Sequence, residues 1–110
     1  MGRPALDVSE AEEAFWQEMA SHQEETWHTA RGLSFSYVIR GNEMFISRKD
    51  KSITRATAVM AWRRALELQE TLGYVKGPKM LGTFGASYLY PIFLALGICS
   101  AQSTDREASK

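Results

Sequence analysis

The chain has 110 residues, 45% of them hydrophobic and 24% charged, and its 13 basic and 13 acidic side chains cancel. This composition fits one globular domain and excludes a repeat or low-complexity protein. A single cysteine excludes an internal disulfide, and the longest apolar stretch, residues 89–99, is too short to span a bilayer. No signal peptide is visible, so we expect a cytoplasmic protein with one compact domain over residues 9–99 and flexible termini, 1–8 and 100–110.

The first predicted element is a helix that begins at Ser9. Ser9 and Glu12 have the spacing of a capping box, in which each side chain satisfies an amide of the first turn. An apolar stripe at spacings of three and four consists of Phe15, Trp16, Met19 and Trp27 and is interrupted at Gln23. His28, Arg31 and Gly32 are typical of a helix end, so the helix is expected to reach about residue 31.

A β-hairpin follows, with strands 34–40 and 43–47 around a Gly41-Asn42 turn. A two-residue turn pairs residues whose numbers sum to 83, such as Tyr37 with Ile46. The face expected in the core carries Phe35, Tyr37, Ile39, Met44 and Ile46. The other face carries a small apolar patch, Val38 and Phe45.

The second helix is predicted from about Thr54 to Leu72, with Ser52 or Thr54 as its cap and Gly73 after its end. Its buried stripe is expected to consist of Ala58, Ala61, Trp62, Ala65, Leu68 and Leu72. Arg63 and Glu67, four residues apart, are expected to pair on its surface.

The remaining segment predicts two further helices. Pro78 can open a short helix, Lys79 to Thr83, and Ser87 can cap a last helix that ends at Leu96. The fold class is therefore α+β, in the order α-β-β-α-α-α, with a single layer of helices over the two-stranded hairpin.

Charge is segregated along the chain. Residues 1–31 carry two basic and seven acidic residues, a net charge of −5, and residues 32–79 carry nine basic and four acidic residues, a net charge of +5. A polyanion would be attracted to the middle segment. The expected phosphate-binding residues are Arg48, Lys49, Lys51, Arg55, Lys76 and Lys79, of which the first three lie before a helix start that could add free amides.

Two partial resemblances favour a nucleic-acid partner. The Gly85-Ala86-Ser87 turn and the Leu96-Gly97 ending resemble those of bacterial helix-turn-helix units, which implies that Ser87, Tyr88 and Tyr90 face a DNA groove. Lys51-Ser52 before an alanine-rich helix resembles the second helix of double-stranded-RNA-binding domains. The alternatives are a buried helical pair that completes the core and a solvated charged turn.

Three longer stretches, within residues 32–41, 48–55 and 77–93, resemble a group of small hypothetical proteins of anaerobic bacteria. That group has no assigned activity, so the resemblance implies a bacterial origin and no function. No catalytic constellation, cofactor motif or metal-ligand pattern is recognisable. The sequence thus favours a small non-enzymatic nucleic-acid-binding module. The alternative is a protein-interaction or homo-oligomeric module, in which the acidic helix of one subunit meets the basic middle of another around Val38 and Phe45.

Overall fold

The computed structural model describes residues 8–102 and has the predicted α+β class and element order. The helices are α1 (Val8–Ser21), α2 (Arg55–Leu72), α3 (Ala86–Ala95) and a 3-10 helix, Pro78–Leu81. The strands are β1 (Trp27–His28), β2 (Ser34–Phe35), β3 (Tyr37–Arg40), β4 (Glu43–Ile46) and β5 (Ile53–Thr54). Most of the predicted flexible termini, 1–8 and 100–110, lies outside the described residues. No helix within the described range is long and apolar enough to cross a bilayer.

Helix α1 ends at Ser21, ten residues before the expected end near residue 31, so the prediction was wrong there. Tyr37 donates a hydrogen bond of 2.6 Å from its hydroxyl to Met19 O, and Glu24 N donates to Tyr37 O. The second bond holds the chain after α1 against β3, and Trp27 of β1 then pairs with Phe35 of β2. Ser9 lies inside the first turn and not before it, so the predicted cap was also wrong.

The hairpin register is confirmed, since Tyr37 pairs with Ile46 and Arg40 with Glu43. The sheet nevertheless has a third strand, because β5 returns antiparallel to β4 with Ile53 opposite Met44. A strand of two residues is too short to give a periodic hydrophobic pattern in the sequence. Strand β5 therefore went unpredicted, although it closes the basic segment into a loop, residues 47–52.

Helix α2 has the ends that were predicted. Thr54 Oγ1 accepts a hydrogen bond from Thr57 N, and Gly73 has the left-handed backbone (φ 86°) of a helix C-cap. Leu72, expected in the core, is 48% exposed in the last turn of the helix. Arg63 pairs with Glu12 of α1 and not with Glu67.

One core lies between the sheet and the helices. Phe15 stacks on Trp62 of α2 with ring centroids 4.9 Å apart and meets Phe93 of α3 edge-on at 5.8 Å. Helix α3 contributes four buried side chains to this core, Leu89, Tyr90, Ile92 and Phe93. Helix α3 is thus a central packing element of the domain.

Candidate functional site

The acidic helix covers part of the basic segment within the same chain. Arg55 donates to Glu13 at 2.8 Å and lies 5.8 Å over the Trp16 ring, and Arg63 pairs with Glu12. We call these two ion pairs the clasp. Hydrogen bonds from Gln17 and then Arg55 hold the pKa of Glu13 below its usual value. Arg55, predicted to bind phosphate, is thus ion-paired with a carboxylate of the same chain.

The start of α2 also offers less to a phosphate than the sequence suggested. Arg55 N donates to Asn42 O at 2.8 Å, and Thr57 N donates to Thr54 Oγ1. Strand β5 lies between the basic loop and α2, so the lysines of that loop are separated from the first residues of the helix. The predicted pairing of lysine charge with the free amides of this helix is therefore not what the geometry provides.

The basic loop, residues 47–52, surrounds an exposed aromatic ring. The Nζ atoms of Lys49 and Lys51 each lie 5.0 Å from the centroid of Phe84, which is 38% exposed. Arg48 donates from Nε to Ser34 O at 2.6 Å, which ties the loop to β2. Lys49 and Lys51 thus share one surface with Phe84, and Arg48 precedes them in the same loop; we define the basic face as Arg48, Lys49, Lys51 and Phe84.

Gly85 explains why Phe84 reaches this surface. The backbone of Gly85 has φ +80°, and a Cβ atom there would lie 2.3 Å from Ile53 Cδ1. A glycine therefore lets the backbone at position 85 pack directly against Ile53 of β5, at the end of the basic loop. Phe84, the residue before this glycine, therefore lies beside the two lysines. The sequence showed a surplus of aromatic residues but gave no sign that this one is exposed.

A cleft of about 460 Å³ lies between the β1–β2 turn and the start of α3. The lining residues with polar or charged side-chain groups are Thr29, Arg31, Lys79, Ser87 and Tyr88. Lys79 and Ser87 also line a neighbouring cleft that reaches Thr83 and Gly85, on either side of Phe84 in the chain. The clefts therefore connect Lys79 and Ser87 to the edge of the basic face.

Arg31 belongs to this cleft although the sequence assigned it to the end of the first helix. Its true setting is the tight β1–β2 turn, in which Thr29 N donates to Leu33 O and Gly32 N donates to Thr29 O. A turn between two strands of two residues each leaves almost no periodic pattern. Gly32 after an arginine was the available signal, and it fits a turn as well as a helix end.

The predicted groove-facing residues separate into two groups. Ser87 is exposed and Tyr88 half-buried at the cleft, where the Tyr88 ring meets Phe35 edge-on at 5.0 Å. Tyr90 is buried, and its hydroxyl donates to Val75 O at 2.6 Å, so it cannot face a groove. Lys76 is exposed but lines neither cleft.

The first helix of the predicted helix-turn-helix is only a four-residue 3-10 helix, and α3 takes the place of the second. Gly85 and not Ser87 precedes α3, and no side chain caps that helix. A recognition helix needs a solvent-facing surface that can enter a groove. The exposed positions of α3 are Ser87 and Ala95. This helix therefore presents no arginine, lysine or side-chain amide to a DNA groove.

Other reactive groups in residues 8–102 are few. Burial raises the pKa of the Cys99 thiol to about 11, which keeps it protonated near neutral pH. Within that range no group of three or more His, Cys, Asp or Glu side chains is placed to hold a metal ion.

Comparison with known proteins gave no match to a family model, to a curated protein or to a solved structure.

Proposed function

We propose that this protein binds single-stranded nucleic acid on the basic face. The observation that carries the proposal is the placement of two lysine ammonium groups at 5.0 Å from one exposed aromatic ring. Proteins that bind single strands combine cationic side chains for the backbone with aromatic rings on which bases stack. Phe84 would stack a base, and Arg48, Lys49 and Lys51 would contact the adjoining phosphates.

The lysines are free to exchange partners. An exposed cation–π contact is worth only about 0.5–1 kcal/mol, so a phosphate can draw a lysine off the Phe84 ring at little cost. Asp50 is the one acid in the basic loop, against three cations. The loop is also closed at both ends by strand pairing, through β4 and β5.

A single strand fits better than a duplex because the helix that would have to enter a groove packs four of its ten side chains into the core and exposes only Ser87 and Ala95. An unpaired base, in contrast, can reach a ring on a loop without any groove. Lys79, at the adjoining cleft, would extend the path of the strand beyond Phe84. With four phosphate contacts, the plot of log affinity against log salt should have a slope of about −2.8.

The test is fluorescence anisotropy with labelled mixed-sequence 20-nucleotide DNA and RNA, single-stranded and duplex, over a series of salt concentrations. The double variant Lys49→Gln/Lys51→Gln should reduce the slope by about 1.4, because two phosphate contacts are lost. Phe84→Leu should weaken single-strand binding about tenfold and leave the slope unchanged, since stacking releases no counterions.

Arg40→Gln is the matched control. Arg40 is exposed and lies beside the Gly41-Asn42 turn, at the end of the hairpin opposite the basic loop. Its loss should change affinity no more than about twofold. If no single strand binds at tens of micromolar in low salt, or if Arg40→Gln weakens binding as much as the loop variants do, the proposal is wrong.

In the homo-oligomeric alternative, less surface is available for contact between subunits than the sequence suggested. The acidic helix and the basic segment already pair within one chain through the clasp. What remains for a second subunit is the outer face of the hairpin, where Val38 pairs with Phe45 and Phe45 is 38% exposed. Light scattering on the same samples distinguishes the two ideas, because a dimer without affinity for nucleic acid favours the alternative.

A further inference from the structure

We infer that the cleft between the β1–β2 turn and α3 binds a phosphate monoester. The inference extends the proposed function, with which it shares Lys79, and concerns a separate cavity. At about 460 Å³, this cleft lies within the range of about 300–1,000 Å³ typical of small-molecule sites. It brings a guanidinium, an ammonium and three hydroxyl-bearing side chains to one place.

The cleft is positive because both chain segments that form it lack acids. Residues 26–42 contain Arg31 and Arg40 and no aspartate or glutamate. Residues 71–102 contain Lys76 and Lys79 and likewise no acid. In the described part of the chain, neither Arg31 nor Lys79 forms an ion pair. Their charges are therefore available to an anion, unlike those of Arg55 and Arg63.

The hydroxyl groups can complete such a site. Ser87 is exposed in the first turn of α3, where it does not serve as the helix cap. Thr29 Oγ1 accepts a hydrogen bond from Leu33 N at 3.1 Å, which leaves its own hydrogen free to donate. The start of α3 adds a partial positive charge to these donors.

A monoester suits the cleft better than the diester of a strand interior. Its phosphate has three terminal oxygens and a charge of about −1.5 to −2 near neutral pH, whereas a diester has one charge. The planar fork of Arg31 can take two of those oxygens, and Lys79 can act as a point charge on the third. The half-buried Tyr88 ring can contact the sugar or base that the phosphate carries.

Two sources share this chemistry, a free mononucleotide and the phosphorylated end of a strand. The first arm of the test compares a 5′-phosphorylated tetranucleotide with its 5′-hydroxyl form by anisotropy competition. The second arm titrates ¹⁵N-labelled protein with AMP, with adenosine as its unphosphorylated partner. We expect the 5′-phosphate to improve affinity about tenfold, and AMP to shift the amide signals of Arg31, Lys79 and Ser87 while adenosine does not.

Arg31→Gln and Lys79→Gln should each abolish the preference for the 5′-phosphate and reduce AMP binding at least tenfold. Lys76→Gln, which removes the same charge three residues before Lys79 but outside the cleft, should leave the preference intact. If both tetranucleotides bind equally and AMP shifts no cleft signal, the inference is overturned while the proposed function stands. If AMP binds the cleft but no oligonucleotide binds, the proposed function fails and the free mononucleotide is the ligand. A preference that persists in both cleft variants also overturns the inference.

Discussion

At the scale of single residues, close neighbours in the chain can change how a side chain titrates. His22 is an example, because it lies just beyond α1 and contacts two acids from opposite sides. Its Nδ1 is 2.9 Å from Glu25 Oε2, and its Nε2 is 3.3 Å from Glu18 Oε2. The hydrogen bond to Glu25 is the largest cause of a pKa raised above the usual 6.5.

The pH dependence of stability follows from the direction of this pKa shift. A pKa raised on folding means that the protonated imidazole stabilises the folded state below about pH 6.5, and that this contribution is lost as the pH rises through the folded value. In an NMR titration, Glu25→Gln should lower the pKa of His22 toward 6.5. Glu18→Gln, which removes the longer contact, should lower it less. An unchanged pKa in Glu25→Gln would contradict the assignment of the shift to this pair.

At the scale of elements, the predictions succeeded where a pattern was long and failed where an element was short. The hairpin register followed from the Gly41-Asn42 turn, and α2 followed from eighteen residues of periodic sequence between Thr54 and Gly73. Strands β1, β2 and β5 have two residues each and exist through tertiary pairing, which local sequence does not encode. The loop cations of the candidate site were predictable from charge, but their grouping around Phe84 depends on β5.

The contact between Gly85 and Ile53 can be tested by substitution. Gly85→Ala places a Cβ atom 2.3 Å from Ile53 Cδ1 in a backbone of positive φ, so we expect a loss of about 3 kcal/mol in the free energy of unfolding. Gly82→Ala is the control, because its φ is +66° but no atom lies within 4 Å of the added Cβ, and it should lose about 1 kcal/mol. Urea denaturation measures both. Equal losses would show that backbone strain, and not the contact with β5, requires the glycine.

At the scale of the whole molecule, the ion-paired clasp and the lysines of the basic loop, unpaired within residues 8–102, lie at opposite ends of the hairpin. The clasp lies beside the Gly41-Asn42 turn, where Trp16 Nε1 donates to Gly41 O at 3.2 Å and Arg55 N donates to Asn42 O. The basic loop leaves the other end of the hairpin, after Ile46. Four residues of strand at ~3.3 Å each place these ends about 13 Å apart.

Removing a negative charge should therefore have different effects at the two ends. Glu13→Gln uncovers Arg55 but should change single-strand affinity no more than about twofold at 0.15 M salt, since the Debye length there is about 8 Å. Asp50→Asn removes the same charge inside the basic loop and should raise affinity up to about fivefold. Anisotropy at fixed salt measures both variants. A larger gain from Glu13→Gln would place Arg55 in the binding surface.

The clasp has a consequence for how the protein would meet its ligand. It pairs Glu12 and Glu13 with arginines beside the Gly41-Asn42 turn, while the cations of the 47–52 loop lie at the other end of the hairpin, in a molecule whose total charge is zero. Attraction to a polyanion would therefore come from one end of the hairpin and not from the net charge. An incoming polyanion would meet that end first, and salt would slow this encounter by shortening the distance over which the attraction acts.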